Sequence, residues 1–132
     1  MSHEPGPFLT DKIIGLSIKV HRGLGPGLLE TIYADCLTHE LRKAGLQVKR
    51  EVRIGLVYDG MTFEKSFIAD AIVEDDVLLE IKSVENLLPV HEKQTRTYLR
   101  FTACRLALLM NFGAPMLKDG LRRFIASSTA DL

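Results

Sequence analysis

Residues Phe67 to Val84 read FIADAIVEDDVLLEIKSV, and the spacing inside this stretch decides how the rest of the chain is assembled. From Val77 to Lys82 the sequence is apolar except at Glu80 and Lys82, over a length that suits one short strand. Strand alternation puts Glu80 and Lys82 on one side and Leu79 and Ile81 on the other. A carboxylate and an ammonium on an otherwise buried strand are expensive to desolvate without partners. Asp70 ends the preceding apolar run, FIAD, and supplies a second carboxylate at the same end of the sheet. Two carboxylates and a lysine suit Mg²⁺-dependent phosphodiester chemistry. Oxygen ligands hold the hard cation, while the lysine orients or deprotonates water and offsets charge on the phosphate. The spacing fits an edge-strand ion pair beside a surface turn as well, because D-x(n)-E-x-K is short and common.

Working outward, Gln47 to Tyr58 alternates, with Val48, Val52, Ile54 and Leu56 on one face and Lys49, Glu51 and Arg53 on the other. Asp59-Gly60 is a two-residue hairpin signal, and Met61 to Val73 forms the return strand. Glu74-Asp75-Asp76 makes a second tight turn, whose adjacent acids read as solvated rather than as a metal cluster. Upstream, residues 1–9 read as a flexible lead-in. A helix follows from Thr10, with Thr10 or Asp11 as N-cap and Ile13, Ile14, Ile18 and Val20 or His21 at helical intervals. Gly23, Gly25, Pro26 and Gly27 end it. The G-L-G-P-G run lacks a Walker lysine and follows no strand, so it reads as a helix–helix turn rather than a phosphate cradle. Pro26 suits the first position of a second helix running to Ala44, striped by Leu28, Leu29, Ile32, Leu37 and Leu41. Glu30 lies in its first turn, where the helix dipole favours an acid, and Tyr33 shares its side.

Downstream of Pro89, Val90 to Thr102 reads as a helix with His91, Gln94, Tyr98 and Phe101 on one face and Lys93, Arg96 and Arg100 on the opposite one. The basic stripe reads as solvated rather than as a phosphate track, and His91 as a structural histidine. Leu106 to Phe112, LALLMNF, reads as a continuous apolar run of strand length, suited to a strand buried on both faces. Pro115 to Ile125 reads as a short final helix, and the last residues as a frayed tail. The order is α-α-β-β-β-α-β-α: one domain over residues 10–126, an α/β (α+β) fold with helices on a mixed sheet.

Composition narrows the function classes. A chain of 132 residues builds one core. Its formal net charge of zero gives no global basic footprint for nucleic acid, although a cleft can be basic locally. Cys36 and Cys104 lack C-x-x-C spacing and lie in apolar-periodic segments, which predicts buried thiols in a reducing compartment. With no secretory signal pattern and no apolar run of membrane-spanning length, the expectation is a cytoplasmic protein.

The run Gly27 to Tyr33 spells G-x-x-E-x-x-Y and precedes Asp70, then Glu80-x-Lys82, then Gln94-x-x-x-Tyr98. With the surrounding VHRGLGPGLLETIY and the later LLMNFG, this resembles the GxxExxY family of small bacterial and archaeal proteins. That family is a branch of the PD-(D/E)xK nuclease superfamily, and the motif order is also similar to that of RecB-like nucleases. The similarity runs from Ile13 to Ile125. It implies a restriction-endonuclease-like αβββαβ core with an extra N-terminal helix, and Mg²⁺- or Mn²⁺-dependent nuclease activity. Asp70, Glu80 and the backbone carbonyl of Ile81 would then hold the metal, with Glu30 reaching it directly or through water. Lys82 would activate water or stabilise the phosphate, Gln94 and Tyr98 would orient these groups or touch the phosphate, and Tyr33 would pack beneath Glu30. Ala69 stands where the superfamily carries proline, a mild departure because the aspartate does the chemistry. The implied partner is nucleic acid, DNA ahead of RNA, with a homodimer or a protein partner also compatible with so compact a chain. Two other readings stay open: a catalytically silent nuclease-fold module that binds nucleic acid or a protein, and a structural protein with a buried Glu80–Lys82 pair.

Overall fold

Leu106–Asn111 is buried at every position, and Val77–Lys82 at every position but the last. Two such strands can only lie in the middle of a sheet covered on both faces. The computed structural model describes residues 6–127 and places them there. In chain order the elements are α1 (Pro7–Leu24), α2 (Glu30–Lys43), β1 (Val48–Tyr58), β2 (Met61–Val73), β3 (Val77–Lys82), α3 (Pro89–Arg100), β4 (Leu106–Asn111) and β5 (Leu121–Ile125), the last two separated by a 3₁₀ turn at Leu117–Gly120. The sheet runs β1-β2-β3-β4-β5, with β3 and β4 parallel and every other pair antiparallel. This is the mixed α/β architecture of the restriction-endonuclease-like fold.

Alternation divides the core in two. Val77, Leu79 and Ile81 of β3 and Leu106, Leu108 and Met110 of β4 pack with Ile13 of α1 and Leu37 and Leu41 of α2. Leu78, Ala107 and Leu109 point the other way, towards Leu99 of α3 and Phe124 of β5. Glu80 and Lys82 share the parity of Leu78, so they belong to the α3 side as the strand ends.

The hairpin expected at Asp59-Gly60 forms, and β2 and β3 keep their expected bounds. Several other expectations are corrected. Helix α1 starts at Pro7, with Gly6 as N-cap, because proline fits a first helical turn; Thr10 is buried inside the helix and caps nothing. Residues 1–5 of the expected lead-in lie outside the described residues. Helix α2 starts at Glu30 rather than Pro26, since Gly25 and Gly27 flank the proline with left-handed φ values of 73° and 101° that no helix continues through. Leu28, Leu29 and Ile32 consequently stay exposed, and the buried stripe of α2 is Tyr33, Leu37 and Leu41. Helix α3 ends at Arg100, two residues early, and turns Thr95 and Leu99 most directly to the sheet. Phe101 is exposed at its C-cap but keeps a ring contact with Phe67. Cys104 is buried as expected, whereas Cys36 is half-exposed; both are free thiols.

The largest correction concerns the C-terminal region, where the expected helix over Pro115–Ile125 is a 3₁₀ turn and strand β5. A strand as buried as β4 leaves its second edge of N–H and C=O groups unpaired unless another strand covers it. β5 does so from Leu106↔Ile125 to Met110↔Leu121. The expected solvation of the turn acids is likewise modified: Asp75 pairs with Lys49 at 2.7 Å, and Asp76 receives two bonds from Arg105. The α3 basic residues are exposed as expected, with the Arg96 guanidinium 4.7 Å from the centre of the Phe124 ring.

The segment after β3 is locked against the end of β4. Asn111, 2% exposed, accepts bonds from the Val84 and Gly113 N–H groups and donates to the Val84 carbonyl, standing in for a missing ladder pair. A Cβ on Gly113 would lie 2.2 Å from the Val84 carbonyl oxygen, a backbone atom that cannot move alone. Gly113→Ala is therefore expected to destabilise the protein by about 3 kcal/mol. Gly23→Ala, in open space on α1, should instead be neutral or gain up to about 1 kcal/mol. Urea denaturation of the two variants checks the contrast; equal midpoints would contradict the close approach.

Candidate active site

β2 and β3 run side by side only from Val73↔Val77 to Ala71↔Leu79. Beyond that point the strands part, and carboxylate side chains take over their connection. The Asp70 N–H donates to Glu80 Oε1 at 3.2 Å, and the Ile81 N–H donates to Asp70 Oδ2 at 2.7 Å. A strand residue presents its N–H and C=O to the same neighbour, so the Ile81 carbonyl faces the same opening as the Asp70 carboxylate. The expected residues Asp70, Glu80, Ile81 and Lys82 thus meet where the sheet opens.

Two helices bring the remaining candidates from opposite faces. Glu30, the first residue of α2, accepts a bond from the Ser83 N–H at 3.3 Å, while the Ser83 hydroxyl donates to the Leu28 carbonyl at 2.6 Å. The α2 N-terminus is thereby tied to the residue that follows Lys82. Tyr33 is fully buried one turn later, stacked on Phe112 at 4.6 Å. Its hydroxyl donates to the Gly25 carbonyl and accepts from the Leu28 N–H. It anchors the loop that delivers Glu30. From α3, Gln94 Nε2 donates to the Tyr98 hydroxyl at 2.9 Å, and Tyr98 packs on Phe67, three residues before Asp70. His91 serves its own helix, its Nδ1 accepting from the Leu88 N–H.

Burial controls the electrostatics. Glu80 is 3% exposed, and burial, followed by the neighbouring Asp70 charge, pushes its pKa up to about 8. Lys82 and the Asp70 N–H oppose that shift, while Glu30 adds to it. Asp70 is also raised, first by burial and then by the Glu30 charge, against the Ile81 N–H, Lys82 and Arg50. The Tyr98 phenol is raised by burial and by the Glu80 charge, so α3 lies within the field of the site. Lys82 makes no salt bridge with either carboxylate among the described residues.

The donor set fits a hard divalent cation. Two carboxylates and a backbone carbonyl face one opening, and the more buried carboxylate is held above its ordinary pKa by burial and by the neighbouring Asp70 charge. Among the described residues, no three His, Cys, Asp or Glu side chains gather closely enough to make a metal cluster by themselves. Mg²⁺ does not require one, since it commonly keeps several waters and takes one or two carboxylates.

Asn111, Ser83 and Arg50 were not picked out by the sequence reading. Asn111 is signalled by a lone amide at the end of an apolar run. Arg50 has the parity of Val48 and Val52, a charge on the inward face of an alternating strand.

The Glu80 shift has a definite sign. A carboxyl raised in the folded state favours folding while it stays protonated, and that contribution is lost as pH rises from about 4.5 to about 8. With divalent cations chelated, the melting temperature should fall across this window. Glu80→Gln, neutral at every pH, should flatten the fall and be more stable than the parent at pH 8.5. Thermal melts in EDTA check this, and identical pH profiles for the two proteins would refute the buried-acid assignment.

Among the described residues, no helix is long and apolar enough to cross a membrane. No curated protein and no solved structure matches the chain. A family model does: the PD-(D/E)XK nuclease superfamily, over residues 8–124. That span reaches from the first turn of α1 into β5 and includes every candidate residue above, and it shows that the chain belongs to the PD-(D/E)XK nuclease superfamily.

Proposed function

We propose that this protein is a Mg²⁺- or Mn²⁺-dependent nuclease of the GxxExxY branch, hydrolysing phosphodiester bonds in nucleic acid, with DNA the preferred substrate over RNA. The observation that carries the reading is the opening between β2 and β3, where a 97% hidden Glu80, Asp70 and the Ile81 carbonyl converge beside Lys82, which has no salt bridge among the described residues. Buried carboxylates in this arrangement lower stability unless a cation or a proton neutralises them.

Asp70, Glu80 and the Ile81 carbonyl would hold the cation, and Glu30, bonded to Ser83, would reach it directly or through water. A divalent ion bound there supplies positive charge to the scissile phosphate and lowers the pKa of water. The chain's own groups do the rest. Lys82, on the same strand face as Glu80, reaches the opening to orient the attacking water and offset charge on the phosphate as it develops. Tyr98, held by Gln94, presents its hydroxyl from the α3 side to orient the substrate phosphate. The net charge of zero favours a second reading, in which the fold binds nucleic acid or a protein without cleaving it.

Incubation with Mg²⁺ or Mn²⁺ and single- and double-stranded DNA and RNA separates the two. Cleavage is expected, with Lys82→Ala lowering the rate by about 100-fold or more while nucleic-acid binding survives. Asp70→Ala should abolish calorimetrically detected Mn²⁺ binding. Equal cleavage by parent and Lys82→Ala, or none by the parent, would overturn the catalytic reading and leave the binding one.

A further inference from the structure

β1 and β2 pair in one register from Val48↔Val73 through Ile54↔Phe67, with one gap: no pair joins Glu51 to Asp70. Glu51 is in the left-handed region at φ 50°, uncommon for a residue with a side chain. The two strands change faces at this point. Val48, Ala71 and Val73 belong to the core under α1 and α2, whereas Val52, Ile54 and Ala69 pack on the α3 side. Regular alternation would keep Ala69 with Ala71 and Val73, so β2 rolls about Asp70. The roll is what aims the Asp70 carboxylate along the sheet, at the Ile81 N–H, instead of up or down from it.

Arg50 holds the rolled segment. Its Nε donates to the Asp70 carbonyl at 3.2 Å, and its Nη1 donates to the Asp35 carboxylate on α2. The Arg50 side chain is 20% exposed, so most of it is enclosed between strand and helix. Asp70 therefore has side-chain partners at both ends of its backbone, Glu80 at the N–H and Arg50 at the carbonyl. Asp35 lies on the helix that also delivers Glu30, so the guanidinium ties the strand bearing one candidate ligand to the helix bearing another. The planar fork fixes the angle between its two bonds, which a lysine ammonium does not.

We infer that Arg50 is a positioning residue for the metal site, setting the orientation of Asp70 through its backbone carbonyl and keeping it in register with α2. The inference rests on the metal-site reading above. Groups that orient metal ligands from behind typically contribute 10- to 100-fold to metal affinity.

Calorimetric titration of Mn²⁺ into the parent, Arg50→Lys and Asp35→Ala, with urea melts of each metal-free protein alongside, tests it. Arg50→Lys keeps the charge but not the fork, and should weaken Mn²⁺ binding about tenfold or more. Asp35→Ala removes an exposed anchor at little risk to folding, and should weaken binding by a smaller factor. A parent that binds Mn²⁺ equally as well as Arg50→Lys would overturn the inference and leave the metal site standing. The same holds if the urea midpoint falls while affinity is kept, since that marks a purely structural role. Failure of the parent to bind Mn²⁺ would bring down the metal-site reading and the inference together.

Discussion

Two carboxylates bridge the point where β2 and β3 separate, each bound to an N–H at the other strand. A sheet that opens normally exposes its unpaired backbone to water. Here the opening is lined by Asp70 and Glu80 at a depth where burial raises both carboxyl groups. Such an arrangement persists only if the surroundings are rigid enough to hold it, because separating the strands further would hydrate both acids. The rest of the fold supplies that rigidity. β4 buries the far side of β3 from Val77↔Leu106 to Lys82↔Asn111, and β5 closes the outer edge of β4. Asn111 then fixes Val84, so the chain leaving Lys82 cannot drift away from the opening.

The central sheet was legible in the sequence because period and burial agree there. β2 and β3 keep their expected bounds, and Leu106–Asn111 could be neither an amphipathic helix nor an edge strand. The C-terminal strand was not legible for the opposite reason. Leu121–Ile125 alternates weakly, with only Phe124 buried, and its conformation answers to the unpaired edge of β4, which no local pattern records. The start of α2 failed similarly: proline is favourable at a first helical position, but the glycines on either side adopt φ values that only the folded loop requires.

The candidate site divides along the same line. Asp70, Glu80 and Lys82 stood out because charges are costly on a buried strand, a cost visible in one dimension. Glu30 did not, since a glutamate in a first helical turn needs no explanation beyond the helix dipole; only the motif order drew attention to it. Arg50 and Asn111 act through bonds to distant backbone groups, Asp70 in one case and Val84 in the other. Their one local trace is a polar residue at a position whose parity or surroundings predict an apolar one.

A net charge of zero sets a condition on how such a site can meet a polyanion. Long-range steering needs a field extending beyond the Debye length, about 8 Å at physiological ionic strength, and a chain with balanced charges has little of one. Attraction for phosphate therefore has to arise at short range. At the opening the nearby charges are Glu30, Asp70 and Glu80 against Lys82 and Arg50, and Arg50 is already committed to Asp35 and the Asp70 carbonyl. Without a cation the site repels phosphate whenever its acids are ionised. A divalent cation bound there would cancel that negative excess and lower the carboxyl pKa values together, so metal binding and substrate attraction would be coupled by the same electrostatics. The high burial of Glu80 would strengthen such coupling, because less water screens the exchange of proton for cation.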